Sequence, residues 1–162
     1  MSTLAVDTIT PKSANAVLFP NRPAFKAYNS TNGWVELTHG SAQLLNFNTT
    51  DYNIGGHYNT STYKFTAPIS GLYDFTILAY TQKNGAVRAL YLYKNDALYS
   101  QSLTTDSTDM NQSGHLRDVM NLSAGDTVSA YLYHGNDTVY SYQAGDGTVN
   151  GAWSYFIGYL IG

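Results

Sequence analysis

The run Tyr63-Lys64-Phe65-Thr66-Ala67-Pro68-Ile69-Ser70-Gly71-Leu72-Tyr73-Asp74-Phe75-Thr76-Ile77-Leu78-Ala79-Tyr80 reads as two strands joined by a turn. Residue types alternate with a period of two from Tyr63 to Thr66 and again from Leu72 to Tyr80, which sends successive side chains to opposite faces of a sheet. Pro68 and Gly71 punctuate the join and shape a tight entry into the long second strand, while Phe65, Tyr73 and Phe75 are the expected core plugs. Alternation recurs in Phe25-Lys26-Ala27-Tyr28 and Trp34-Val35-Glu36-Leu37. Turn chemistry separates these segments at Asn32-Gly33, Gly55-Gly56, Asn84-Gly85, Asn95-Asp96, Ala124-Gly125-Asp126, Gly135-Asn136-Asp137 and Gly145-Asp146-Gly147. No helical repeat of useful length emerges, so the expectation is an all-β sandwich, for which a jelly roll is a standard wiring.

Composition agrees. The 162 residues suit one domain, and charged residues are few beside abundant Tyr, Thr, Ser, Asn and Gly. The net charge of −3 has no basic cluster behind it, because the eight Lys and Arg are scattered, and no nucleic-acid partner is expected. There is no cysteine, hence no disulfide framework and no thiolate metal site. The opening Met1 to Thr10 has neither the basic nor the apolar region of a secretory signal, and no stretch approaches a membrane span of about 20 apolar residues.

Three strands are apolar or tyrosine-rich on both faces. Val87 to Lys94 sets Val87, Ala89, Tyr91 and Tyr93 against Leu90 and Leu92. Val128 to His134 sets Tyr131 and Tyr133 against Val128, Ala130 and Leu132. Trp153 to Ile161 sets Trp153, Tyr155, Ile157, Tyr159 and Ile161 against Phe156 and Leu160. A sandwich in isolation buries one face of each strand and wets the other. These strands therefore predict a subunit interface, for which Tyr91, Tyr93, Tyr131, Tyr133, Tyr155 and Tyr159 are the candidates.

The spaced residues Phe47, Asn53, Tyr58, Phe65, Gly71, Tyr73 and Phe75 resemble the signature of the C1q-like globular head, a branch of the tumour-necrosis-factor superfamily. Later blocks agree in order: Leu92-Tyr93-Lys94-Asn95-Asp96, Leu122-Ser123-Ala124-Gly125-Asp126-Thr127-Val128, and the closing strand Ser154 to Leu160. The resemblance covers residues 23–162 and implies a ten-stranded jelly roll assembled as a three-fold homotrimer. It departs from the family at Ile77, where an aromatic is common, and in lacking a collagen-like Gly-X-Y stalk.

Residues 1–22 differ. Leu4, Val6 and Ile9 are thinly spaced and Pro11 and Pro20 interrupt, which reads as an extended arm. Ser2 to Ile9 resembles the start of fibre-like virion proteins of marine bacteriophages, which implies anchoring to phage capsid or tail proteins through Leu4, Val6 and Ile9. The expected role is a non-enzymatic, homotrimeric phage protein at the virion surface, decorating the capsid or forming a short fibre. A receptor- or glycan-binding adhesin at a tail-fibre tip and a freestanding C1q-like binding module are the alternatives.

No catalytic constellation is found. Serines stand in no Gly-x-Ser-x-Gly elbow, and Glu36, the sole glutamate, would have to supply one half of any Asp-Glu glycosidase pair. His39, His57, His115 and His134 lie apart, without zinc spacing. Asp106, Asp109, Asp137 and Asp146 sit in polar loops that could offer oxygens to calcium, but without a dedicated calcium-loop pattern, so no cofactor is expected.

Overall fold

The computed structural model describes residues 22–38, 40–81, 87–105, 112–135, 140–146, 148 and 151–162. The arm with Leu4, Val6 and Ile9 therefore lies outside the described residues, apart from Arg22, as do His39, Asp106, Asp109 and Asp137. Thirteen strands occur among the described residues, every pairing antiparallel. They are β1 (Ala24–Tyr28), β2 (Asn32–Leu37), β3 (Gln43–Leu44), β4 (Thr49–Ile54), β5 (Tyr58–Asn59), β6 (Lys64–Thr66) and β7 (Gly71–Thr81). The chain continues through β8 (Val87–Lys94), β9 (Ala97–Thr105), β10 (Gln112–Leu122), β11 (Thr127–His134), β12 (Tyr140–Asp146) and β13 (Tyr155–Leu160).

A seven-stranded sheet is built around β7. β10 pairs along the whole of one edge, from Leu122↔Gly71 to Gln112↔Thr81. The other edge takes β13, followed outward by β1 and β4, and at its last residue, through Tyr142↔Thr81, it takes β12 with β2 beyond. The opposing six-stranded sheet runs β5-β6-β11-β8-β9, with β3 also on β11. The count exceeds the ten implied by the family, and two of the thirteen, β3 and β5, are only two residues long.

The alternation read from the sequence sorts side chains as physics requires. Tyr73, Phe75 and Ile77 of β7 face inward and are fully buried, as are Phe25, Phe65 and Phe156 from neighbouring strands. Phe25 is the hub, 4.7 Å from Tyr58, 5.2 Å from Phe65 and 4.9 Å from Phe156 between ring centroids. Each such burial contributes about 1.5–3 kcal/mol. Gly158 of β13 is fixed by this packing: a Cβ there would lie 2.5 Å from Phe25 and 2.6 Å from Phe75. Asn53 acts as a clasp rather than a core residue, donating to the Tyr58 carbonyl at 2.8 Å and accepting the Tyr58 N–H at 3.1 Å. The Tyr58 hydroxyl donates to the Phe47 carbonyl at 3.0 Å, and burial pushes its pKa up.

The turns also have local causes. Asn95 and Asp96 take φ of 51° and 62°, which closes β8 and β9 with a two-residue hairpin matched to strand twist. Gly125, φ 91°, lets the β10–β11 turn fold back. There Asp126 accepts the Ser123 N–H at 2.8 Å, the Asn95 amide at 2.8 Å and Lys94 at 2.9 Å. The Asn95 amide first, then Lys94, lower the Asp126 carboxyl to about 2. Asn32-Gly33, expected as a turn, instead opens β2, because β12 lies alongside and pairs Asp146↔Asn32 and Gly145↔Gly33.

Candidate functional site

The two-faced strands divide their tyrosines between opposite surfaces of the sandwich. On β8 the leucines Leu90 and Leu92 point into the core, so Tyr91 and Tyr93 stand on the outer face of the six-stranded sheet. On β11 the inward Val128, Ala130 and Leu132 leave Tyr131 and Tyr133 on that same outer face. Registry brings the four together: Tyr131 is directly opposite Tyr91. Ring centroids are 4.2 Å apart for Tyr93–Tyr131, 6.3 Å for Tyr91–Tyr93 and 6.4 Å for Tyr91–Tyr133. The half-buried rings roof over their own sheet, leaving Ala89 1% and Ser129 2% exposed beneath them. Desolvation, then the neighbouring Tyr133 and Tyr93, raise the Tyr91 hydroxyl above its ordinary value.

Tyr155 and Tyr159 emerge on the other side, on the outer face of the seven-stranded sheet, because Phe156 and Leu160 take the inward positions of β13. This face is broadly apolar. Leu72 is 46% exposed, Val119 43%, Tyr159 and Ile54 40%, and Tyr52 39%. Within it, the charges are already paired. Asp74, on the outward face of β7, is only 2% exposed, because Arg117 of β10 grips both its oxygens, Nε lying 3.1 Å from Oδ1 and 3.0 Å from Oδ2. The Tyr159 hydroxyl donates to the same carboxylate at 3.1 Å. The Arg117 hydrogen bonds first, and Tyr159 less, hold the Asp74 carboxyl below its usual range against an opposing desolvation. Lys26 lies 5.6 Å from the Tyr155 ring centroid and 3.7 Å from Asp51.

The structure therefore gathers four of the six candidate tyrosines and sets the other two apart. Sequence reasoning missed Asp74 and Arg117. A signal existed, since Asp74 is the one charge in a strand otherwise built of apolar, aromatic and Thr residues, but its partner is 43 positions away. Of the histidines, His115 is exposed and His134 is 2% exposed at the end of β11. Among the described residues no group of three or more His, Asp or Glu is placed to hold a metal, and no helix is long and apolar enough to cross a membrane.

A family model for the C1q domain matches residues 24–161. Among solved structures, the globular domain of zebrafish complement 1qA protein aligns with a TM-score of 0.63 at 18% identity, over 87% of this chain and 98% of that one. The structure of Eiger TNF from S. frugiperda aligns with a TM-score of 0.64 at 14% identity, over 87% and 94% of the two chains. At these identities both establish the jelly-roll fold. No curated protein matches the chain.

Proposed function

The chain belongs to the C1q domain family, and from that premise we propose that it is a non-enzymatic, homotrimeric binding module carried on a phage particle by its N-terminal arm. The observation that carries the assembly is the outer face of β10, β7, β13, β1 and β4. Its exposed Leu72, Val119, Tyr159, Ile54 and Tyr52 surround an Asp74–Arg117 pair already neutralised within the subunit. A contiguous apolar surface of this kind marks a contact site, and a contact core tolerates charge only when it is paired. Cyclic closure covers the same face on every copy, which suits one chain repeated about an axis. On the outer face of the six-stranded sheet the four tyrosines cover one another, and among the described residues the apolar side chains left exposed there, Val87, Leu98 and Leu103, surround no buried charge pair of this kind.

The virion role rests on the arm. Its last residues are tied beside the C-terminal strand: Arg22 Nη2 donates to the Ile161 carbonyl at 2.7 Å, and the Leu160 N–H donates to the Pro23 carbonyl at 2.9 Å. An arm leaving from this point would tether the head by one end and leave the loops at the far end to project. The likeness of Ser2 to Ile9 to the starts of phage fibre-like proteins supports a capsid or tail component as the anchor, with Leu4, Val6 and Ile9 as the docking residues.

Sedimentation equilibrium tests the assembly, with a mass three times that of the chain expected at micromolar concentration and a monomer refuting it. Deleting residues 1–21 tests the tether: purified particles should lose the protein, and undiminished occupancy would exclude the arm as the anchor. Absence of the full-length protein from purified particles would favour the freestanding module.

A further inference from the structure

The chain has two tryptophans, Trp34 and Trp153, and the fold brings both to the same tyrosine. Trp34 lies 6.0 Å from Tyr80 between centroids with the rings 26° from parallel. Trp153 meets Tyr80 at 4.8 Å with the rings 70° apart. Indoles are large apolar groups that folding ordinarily hides, yet Trp34 is 36% and Trp153 49% exposed. We propose that this corner, where β2 and β12 meet the end of β7, is a saccharide-binding platform. The inference does not depend on the trimer or on the virion role.

Three features argue for a built site. The first is rigidity. Ser154, fully buried, donates from Oγ to the Gln143 carbonyl at 2.7 Å and accepts the Tyr80 N–H at 3.0 Å. The Trp153 N–H donates to the Ala144 carbonyl at 3.1 Å, and Trp34 sits opposite Gln143 across the β2–β12 pair. One serine thus ties β12 to β7 beside Trp153, and the ladder with β12 holds the β2 strand that carries Trp34, so little ordering remains to be done on binding.

The second feature is the polar margin. Val35 and Leu37 turn toward the core, so Trp34 and Glu36 share the outward face of β2. Tyr142 is buried in the core, so Gln143 shares that outward face on β12. Exposed Ser113 lies opposite Tyr80 on β10. A pyranose offers an apolar C–H face and a rim of hydroxyls. Aromatic rings receive the face, while a carboxylate, a carboxamide and a hydroxyl are groups that accept from and donate to neighbouring sugar hydroxyls.

The third is shape. A cage for a quaternary ammonium needs ring faces turned inward around one point. Here Trp34 stacks near parallel to Tyr80 and Trp153 meets Tyr80 edge-on, so the ring faces do not close around one point. The corner lies at the far end of the same sheet face, since Tyr80 shares the outward side of β7 with Leu72 and Asp74 and stands six residues beyond Asp74.

The site contains its own reporter, because both tryptophans belong to it. The full chain is titrated with cellohexaose, maltohexaose, xylohexaose and chitohexaose, and separately with choline chloride, while tryptophan emission is followed. At least one hexasaccharide should change the emission saturably with a Kd at or below about 1 mM. Trp34→Ala and Trp153→Ala should each raise that Kd about tenfold or more by calorimetry, with thermal unfolding and sedimentation showing that the variants stay folded and keep their oligomeric state. No change with any hexasaccharide up to about 10 mM would overturn the proposal. So would sugar binding that survives both substitutions, or a response to choline alone.

Discussion

On the six-stranded sheet four tyrosines from adjacent strands lie against one another, Tyr93 and Tyr131 only 4.2 Å apart, whereas on the seven-stranded sheet Tyr155 and Tyr159 turn toward Lys26 and Asp74. Both surfaces cover strands that are apolar on the inside, and both are rich in aromatic carbon. They differ in how exposure is distributed. The first face covers its central strands and Ala89 with its own rings, and its exposed Val87, Leu98 and Leu103 lie at the start of β8 and along β9. The second neutralises its charges and leaves Leu72, Val119, Ile54 and Tyr52 uncovered. Residue type alone therefore does not mark an interface. What matters is whether the rings find neighbours within the subunit.

The largest test of this contrast places one charge on each face. Val119→Lys sits directly opposite Asp74, where a lone subunit tolerates an amine, but a covered face does not. The concentration needed for assembly should rise at least about thirtyfold, matching about 2 kcal/mol per contact. Tyr91→Lys on the other face should leave the oligomer intact by sedimentation. Equal loss in both would erase the distinction between the faces.

Arg117→Met comes next. It leaves the Asp74 carboxylate buried with Tyr159 as its remaining side-chain donor, and should lower unfolding stability by about 1–3 kcal/mol in urea titrations, discounted because Arg117 itself is 60% exposed. Asp74→Asn combined with Arg117→Met should recover part of that loss, since the uncompensated charge is gone.

On the six-stranded face, a double-mutant cycle of Tyr93→Ala and Tyr131→Ala should give a coupling of about 0.5–1.5 kcal/mol from the ring contact, without changing the oligomeric state. A coupling near zero would mean that these rings lie together without holding one another.

The smallest effect is the pH slope. Asp74 has a carboxyl held below its ordinary 3.8 in the folded state, so its contribution is fully present above that value. It drains away as the pH falls through the lower folded-state value. Asp126 behaves alike between about 3.8 and about 2. Unfolding midpoints should therefore drop on acidification below about 4, and Arg117→Met should flatten the Asp74 share of that drop while leaving the Asp126 share.

Much of the sandwich is legible from local pattern. Alternation in β7 gives its inward Tyr73 and Phe75, in β8, β11 and β13 it separates two faces without saying which is inward, and Asn95-Asp96 announces the β8–β9 hairpin. β9 and β10 do not stand out. β9 is rich in Ser, Thr and Gln, β10 mixes charged and polar residues with Leu116, Val119, Met120 and Leu122 without strict alternation, and pairing along all of β7 makes β10 a strand. Asn32-Gly33 reads as a turn because its chemistry permits one, but the neighbouring β12 draws it into a ladder. The candidate surface is legible only as a tendency, since the tyrosines are visible one by one and their division between two faces is not.

By itself the sequence determined the strand periodicity, the hairpin turns and the aromatic core, because these depend on the period of two, on backbone dihedral preference and on the transfer of apolar area. The tertiary structure decided what meets across the sheets. Arg117 reaches Asp74 from 43 residues away, and Trp34 and Trp153 converge on Tyr80 from distant strands. Such meetings follow from strand order and register, which are set by the closure of the whole sandwich and leave no trace in any local stretch of the chain.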